Sequence, residues 1–262
     1  MKSQASVPMV TGMPPARLIT IGLSHYCEKA RWALDWARVE YREEVHAPVA
    51  HLRATRKVGG NSVPIFASPS SVLCDSSDIV LHADALAPPD RKLLPDDKDA
   101  RGRVLAFEDE LDETLGIDAR ILVYWYNLHE IASARAMAGR MFRIKSTLAR
   151  SLVAPLFRGL IFRKYGVNAR SAALAEARVR RTFATVGDTL ADRPFLFGSR
   201  FGLGDLTFAA LSSILLLPEE HPFMRTGRKD PSPAFIRLAT ELRGTRAGEH
   251  ALRMYREHRA SA

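Results

Sequence analysis

The sequence has little cysteine and no long apolar run. Its 262 residues include only Cys27 and Cys74, which is too few for a disulfide framework and favours a reducing compartment. The longest apolar stretch, residues 206–218, is shorter than the roughly 20 residues that a membrane-spanning helix needs. Residues 1–16 lack the apolar core of a signal peptide and predict a flexible tail. Together these absences predict a soluble, cytoplasmic protein.

Acidic residues are almost missing from one segment. Residues 131–180 contain eleven Arg or Lys side chains and a single acid, Glu176, while the whole chain has a net charge of +9. This pattern fits a solvated helical face or a surface for anionic partners. Because the segment shows no nucleic-acid-binding motif, we expect no nucleic-acid partner. Residues 151–167 combine large apolar and basic side chains, as in helices that associate weakly with anionic membrane surfaces, although Pro155 and Gly159 are expected to interrupt the helix.

The chain divides at a proline-rich linker. Residues 17–86 predict short strands and helices in the order βαβ and then ββα. Residues 87–98 contain three prolines and six charged side chains, which is typical of a linker. Residues 99–262 show helical spacing and no convincing strand. The sequence therefore predicts a small α/β domain followed by an all-α domain.

Four short motifs stand in a fixed order along this chain. They are "SHYC" (24–27) at the start of the first helix, the Val63–Pro64 pair, the Asp75–Ser76 pair, and "FGLGDL" (201–206). This ordered set resembles the cytosolic glutathione S-transferase superfamily, in a Ser-x-x-Cys variant, over roughly residues 17–258. The resemblance implies a thioredoxin-like, glutathione-binding domain at 17–86 and an all-helical domain at 99–262.

The resemblance gives the residue after the first strand the catalytic role. Ser24 would donate a hydrogen bond to the glutathione sulfur and favour its thiolate, or it would only cap the helix. Tyr26 and Cys27 are the alternatives. Helical spacing favours burial of Tyr26, and Cys27, at the second position of a redox motif, lacks a partner for a disulfide. His25 stands where the family commonly has proline. It would lie near the thiol pocket or, as the simpler expectation, at the surface.

Two pairs would hold glutathione itself. A cis bond before Pro64 would free the backbone of Val63 to pair with the cysteinyl unit of glutathione; the alternative is a trans proline at the start of an edge strand. Ser76 would hold the γ-glutamyl carboxylate at a helix N-terminus, and Asp75 would face the ammonium group. A helix cap alone would also explain this pair.

One position departs from the family pattern. Many relatives have a lysine before the Val-Pro pair that contacts the glycyl carboxylate, whereas this chain has Ser62. The candidates to supply the charge from nearby are Lys57, Arg56, Arg53 and His51; if none of them does, glutathione binds weakly or a different thiol is used. The "FGLGDL" motif also departs, because Gly202 replaces the usual hydroxyl residue and leaves Asp205 only one of two capping bonds.

The function implied by the resemblance is a glutathione-dependent transferase. Glutathione, as co-substrate, would attack a small electrophile or a hydroperoxide in a pocket between the domains, and the protein would be a homodimer without a bound metal. The candidate apolar walls of the pocket are Phe107, Tyr124, Trp125, Tyr126 and Phe142. A non-catalytic binding or regulatory protein on the same fold is the alternative, with residues 131–180 as its contact surface.

Overall fold

A computed structural model describes residues 16–142, 144–224 and 231–259, without the side chains of residues 140 and 141. The expected flexible tail, apart from its last residue, lies outside these ranges. The elements of the first domain are β1 (Arg17–Thr20), α1 (His25–Trp36), β2 (Arg42–Val45), α2 (His51–Arg56), β3 (Ile65–Ala67), β4 (Val72–Leu73) and α3 (Ser76–Leu86). The predicted order of strands and helices is confirmed.

The first domain is built on a four-stranded sheet in the order β2-β1-β3-β4. Strand β1 pairs in parallel with β2 and antiparallel with β3, and β4 runs antiparallel to β3. Leu18 and Ile19 of β1 are fully buried. Helix α1 buries Trp32, Ala33 and Leu34, and it packs against α3 and against the second domain. The sheet with its helices is the predicted thioredoxin-like domain.

The second domain is helical throughout its described residues, as predicted. After a 3₁₀ turn at Pro89–Arg91 it contains α4 (Lys98–Glu113), α5 (Leu115–His129), α6 (Ile131–Met141), α7 (Thr147–Tyr165), α8 (Ala169–Leu190), α9 (Leu203–Leu216), α10 (Pro233–Arg243), α11 (Arg246–Met254) and a π-helical segment, Tyr255–Arg259. In the described part of the chain, no helix has both the length and the apolar character needed to cross a bilayer.

Helix α9 is the centre of the second domain, and all of its residues are buried. Its N-terminus is fixed by Asp205, whose Oδ2 accepts a bond from the backbone N–H of Gly202 at 3.1 Å. Its Oδ1 accepts a bond from Leu196 N at 2.9 Å and lies 2.8 Å from His250 Nε2. The single cap bond to Gly202 is therefore confirmed, and the same carboxylate also ties α11 to the start of α9.

Helices α6 and α7 form a hairpin with a small core of its own. The buried members of this satellite core are Leu128, Ala134, Ala138, Ala154, Phe157 and Ile161. The hairpin packs mainly against α5. Helix α7 runs unbroken through Pro155 and Gly159, so the expected interruption is wrong. Buried side chains on both sides of Pro155 hold the two halves of α7 against the same core.

Candidate functional site

The register of the sheet brings three predicted segments to one edge. Ile19, near the end of β1, is opposite Ile65 at the start of β3, and Leu73 at the end of β4 is opposite Phe66. The chain leaving β1, the chain entering β3 and the chain leaving β4 therefore meet at the same edge. These three segments carry the "SHYC" motif, the Val63–Pro64 pair and the Asp75–Ser76 pair.

Ser24 is the N-cap residue of α1. Its Oγ accepts a bond from the backbone N–H of Cys27 at 3.4 Å, and its own N–H donates to Ile21 O at 2.9 Å. The side chain is half-buried, so the hydroxyl caps the helix and still reaches the surface. The free N–H groups and the dipole of α1 favour negative charge at this point.

The thiol of Cys27 is inaccessible. Cys27 is fully buried, and burial raises the pKa of its thiol to about 11, although hydrogen bonds to the Ser24 side chain and the Ile21 backbone act in the opposite direction. A thiol with this pKa is protonated at neutral pH, and the thiolate is the reactive form. Cys27 therefore serves as a structural neighbour of Ser24.

The hydroxyl of Tyr26 is already committed to another partner. It donates to the backbone carbonyl of Asp112, on α4, at 2.7 Å. Burial, followed by the charge of Asp112, raises the pKa of Tyr26 to about 12. A Cβ atom at Gly116 would lie 2.3 Å from the Tyr26 hydroxyl oxygen, so the glycine permits this close approach. This geometry leaves Ser24 as the available hydroxyl.

His25 is buried, with 3% of its surface exposed, so the expectation of a surface imidazole is wrong. Its Nε2 donates to the carbonyl of Gly116 on α5 at 2.8 Å. Burial, and next the positive charge of Arg120, lower the pKa of His25 to about 3. The imidazole is neutral at physiological pH. The burial of His25 results from a long-range contact, because α5 of the second domain covers the start of α1.

The other two predicted pairs flank Ser24. The Val63–Pro64 peptide bond is cis, and Val63 is half-buried. Asp75 caps α3, since its Oδ1 accepts a bond from Ser77 N at 2.7 Å. The side chain of Asp75 is exposed, and Ser76, the first residue of α3, is 4% exposed.

The cations expected near the exposed Ser62 lie on and after α2. Lys57, Arg56 and Arg53 are exposed, and His51 is buried. A further cation comes from α7: after burial, the charge of Lys164 is the next cause that lowers the pKa of His51. Lys164 therefore lies close to α2, a placement that no local pattern indicated.

Arg120 on α5 is a site residue that sequence reasoning missed. Its Cζ lies 4.6 Å from the ring centroid of Tyr165 and 5.9 Å from that of Tyr26. Its Nε is buried without a hydrogen-bond partner, and among the described residues it forms no ion pair. Arg120 follows Gly116 by one helical turn and so faces α1 beside His25. Its position as a basic residue within the apolar run of α5 is the sequence feature that could have identified it.

Only one predicted pocket aromatic joins this group. Tyr124 stacks on Tyr165 at 5.4 Å. The other four pack elsewhere. Phe107 contacts Phe197, Trp125 contacts Phe162, Tyr126 donates to Glu176, and Phe142 contacts Phe157.

A buried charge cluster fixes the N-terminus of α3. The fully buried Lys29 contacts Glu108, Asp112 and Ser77, with Nζ 2.5 Å from Asp112 Oδ2 and 3.1 Å from Ser77 Oγ. Asp112 Oδ1 is buried without a partner, and burial raises the pKa of Asp112. Among the described residues, no three His, Cys, Asp or Glu side chains are placed to hold a metal.

These features define a class of two-domain proteins in which a thioredoxin-like domain presents a helix-capping hydroxyl, a cis-proline and a second helix N-terminus at one edge of its sheet. Family models identify the class more closely. Residues 18–91 match the glutathione S-transferase N-terminal domain, and residues 153–211 match the glutathione S-transferase C-terminal domain. The two matches cover about half of the chain, which belongs to the glutathione S-transferase superfamily. Neither model matches residues 92–152.

Solved structures share this fold at low sequence identity. The β-etherase LigF from Sphingobium sp. strain SYK-6 is 15% identical, with a TM-score of 0.58 over 92% of this chain and 99% of that chain. A glutathione S-transferase from Methylobacterium radiotolerans JCM 2831, in complex with glutathione sulfonate, is 19% identical, with a TM-score of 0.52 over 90% and 94% of the two chains. One from Methylobacillus flagellatus KT with glutathione bound is 17% identical, with a TM-score of 0.52 over 90% and 98%. A search of curated protein sequences finds no significant match.

Proposed function

We propose that this protein is a glutathione-dependent transferase in which Ser24 activates the glutathione thiol. The observation that carries the proposal is the half-buried hydroxyl of Ser24 at the N-terminus of α1, at the same sheet edge as the cis Val63–Pro64 bond and the start of α3. The thiol proton passes to solvent, and the thiolate sulfur bonds to a carbon atom of a small electrophile as the leaving group departs or the ring opens. With a hydroperoxide, the thiolate instead breaks the O–O bond and releases the alcohol, and a second glutathione reduces the oxidised sulfur to give glutathione disulfide and water.

The neighbours of Ser24 favour donation of its proton to glutathione. A serine hydroxyl has one proton and two lone pairs. One lone pair accepts from Cys27 N–H. The serine proton is left for the glutathione sulfur.

The remaining contacts of glutathione follow the sheet edge. Val63 pairs its backbone with the cysteinyl unit beside Pro64. Ser76 and the N-terminus of α3 hold the γ-glutamyl carboxylate, and Asp75 faces the ammonium group. Ser62 borders the glycyl end, and Lys57 supplies the positive charge there.

The electrophile binds on the α5 side of Ser24, between the two domains. Arg120 has no acidic partner among the described residues, and it lies between the rings of Tyr26 and Tyr165. An unpaired guanidinium beside aromatic faces suits an aromatic electrophile that carries an anionic or strongly electron-withdrawing group. From the resemblance we also propose that the protein is cytoplasmic and forms a homodimer. Light scattering on the purified protein tests the homodimer.

A non-catalytic binding protein is the second candidate. It is favoured by the basic α6–α7 hairpin, most of which lies in the segment that neither family model matches. Such a protein would keep the fold and use this hairpin to contact its partner.

Retention on immobilised glutathione and elution by free glutathione test the site, and turnover with an aryl halide, an epoxide and an organic hydroperoxide tests the chemistry. We expect retention together with turnover of at least one of these electrophiles. Retention without turnover across the panel would favour the binding protein, and a folded protein that does neither would contradict both glutathione binding and transfer.

A further inference from the structure

The outward face of α7 carries leucines where a surface helix normally carries polar side chains. Leu148, Leu152, Leu156 and Leu160 are 72%, 65%, 77% and 56% exposed. Because they are spaced four residues apart, they follow one another along one side of the helix. We call these four residues the leucine stripe.

The opposite face of α7 is also apolar, and it is already used. Ala154, Phe157 and Ile161 are buried in the satellite core. The apolar face of a helix is normally buried, whereas α7 has two apolar faces and is covered on one side only. The leucine stripe therefore adds nothing to the hydrophobic core, and contiguous exposed apolar surface of this kind marks an interaction site.

The charge around the stripe has one sign. Residues 131–165, which form the hairpin, contain eight basic residues and no acidic residue. Six have described side chains, and none of the six forms an ion pair within the described chain. These six are Arg135, Lys145, Arg150, Arg158, Arg163 and Lys164. Arg140 and Arg143 complete the set, and their side chains lie outside the described residues.

Two of the basic side chains lie beside the apolar surface of α7. Arg163 follows Leu160 by three residues and so lies on the same side of α7. The guanidinium of Arg158 stacks on Phe162 at 5.1 Å. Long basic side chains of this kind can cover apolar surface with their stems and present the charge beyond it.

We propose that α7 binds in the plane of an anionic lipid bilayer, with the leucine stripe inserted at the boundary between headgroups and acyl chains and the cations on the lipid phosphates. Interfacial helices combine these two contributions. Charge complementarity favours this occupant over a second copy of the chain. A two-fold contact through the stripe would bring two hairpins with eight basic residues each face to face. The proposal does not depend on the transferase activity.

The test uses the full-length protein and flotation with vesicles. Vesicles of phosphatidylcholine with phosphatidylglycerol provide the anionic surface, and vesicles of phosphatidylcholine alone provide the neutral surface. We expect binding to the anionic vesicles at low salt, about tenfold or more weaker binding at high salt because the charges are screened, and little binding to the neutral vesicles.

Matched double variants separate the stripe from general exposed apolar surface. Leu152→Gln with Leu156→Gln removes the centre of the stripe, and Leu86→Gln with Ile236→Gln changes two exposed apolar residues on α3 and α10. We expect the first variant to lower the partition coefficient by about tenfold or more and the second to bind like the unmodified protein. Circular dichroism checks that both retain their helices, and Leu156→Trp should show a blue-shifted emission with anionic vesicles only.

Three results would overturn the proposal. One is the absence of binding to anionic vesicles at low salt. Another is equal binding by the two double variants. The last is a dimer that Leu152→Gln with Leu156→Gln dissociates without any change in lipid binding, because the stripe would then be a subunit interface. If the hairpin binds an acidic protein and not lipid, the first of these results, no binding to anionic vesicles at low salt, is the one expected.

Discussion

The Nζ atom of Lys29 lies 2.5 Å from Asp112 Oδ2, and this buried ion pair joins α1 of the first domain to α4 of the second. Glu108 contacts the same ammonium group. Three charges are thus held close together at the domain boundary, directly behind the N-terminus of α3.

Removing Lys29 should destabilise the protein strongly. Lys29→Met leaves Glu108 and Asp112 as neighbouring carboxylates without their cation, and breaking a buried pair in this way costs about 3–5 kcal/mol. Urea denaturation at neutral pH measures the loss. Lys98→Met, at an exposed position on α4, is the control and should change the free energy of unfolding little. A loss below about 1 kcal/mol for Lys29→Met would contradict this account of the cluster.

Ser76 should contribute to glutathione affinity. Ser76→Ala removes a hydroxyl partner of the γ-glutamyl carboxylate and should weaken binding by about 1–3 kcal/mol, the usual cost of losing a bond to a charged group. Calorimetry measures the dissociation constant. Ser70→Ala, in the exposed turn before β4, is the matched control. An unchanged dissociation constant for Ser76→Ala would remove this residue from the site.

His25 should make stability depend on pH. Its pKa in the folded protein, about 3, lies below the ordinary value of 6.5. Between these two values the unfolded chain binds a proton that the folded chain does not, so stability is complete above pH 6.5 and falls as the pH is lowered. Between pH 7.5 and 5.5, the unmodified protein should lose about 1 kcal/mol more than His25→Gln.

Denaturant titrations at the two pH values check this difference. His129→Gln, at an exposed position, should keep the full pH dependence. Equal pH dependence in His25→Gln and the unmodified protein would show that His25 does not titrate as its burial requires.

Arg120 should select anionic electrophiles. Arg120→Met keeps the apolar stem between the rings and removes the charge. The ratio of kcat/KM for an anionic aryl halide to that for its neutral analogue should fall by about tenfold or more, the scale of one charged hydrogen bond. Arg103→Met, exposed on α4, should leave the ratio unchanged. An unchanged ratio in Arg120→Met would place the electrophile elsewhere.

Local sequence patterns were sufficient to predict much of the first domain. The apolar strand before Ser24, the Val63–Pro64 pair and the capping residue Asp75 each act within a few residues, and pairing of β1, β3 and β4 then places them at one edge. Asp205 was likewise predictable, because a cap bond spans three residues.

The rest of the site depends on contacts between the domains. His25 is buried because Gly116, 91 residues further along the chain, accepts its hydrogen bond. The spacing of apolar residues in a helix or a strand does not indicate such a contact. Arg120 and Tyr124 reach the site because α5 crosses the start of α1, whereas Phe142, on the hairpin, packs against Phe157. The sequence indicates which side chains are apolar, and the packing of the helices decides which of them face the site.

Ser24 is the residue on which the proposed chemistry depends. Ser24→Ala should lower turnover by about 10²-fold or more, the scale of losing one oriented donor to developing charge, while the lost cap costs about 0.5–2 kcal/mol of stability. Ser24→Thr keeps the hydroxyl and should retain much of the activity. Ser24→Cys should favour disulfide exchange, because Cys27 lies three residues away.

The most direct test is the pKa of the glutathione thiol in the complex, followed by the ultraviolet absorbance of the thiolate as the pH is raised. We expect a pKa well below the unperturbed thiol value of about 8.5 with the unmodified protein and with Cys27→Ala, and a return toward 8.5 with Ser24→Ala. A bound thiol whose pKa is unshifted in the unmodified protein, or equally low in Ser24→Ala, would contradict the activation of glutathione by Ser24.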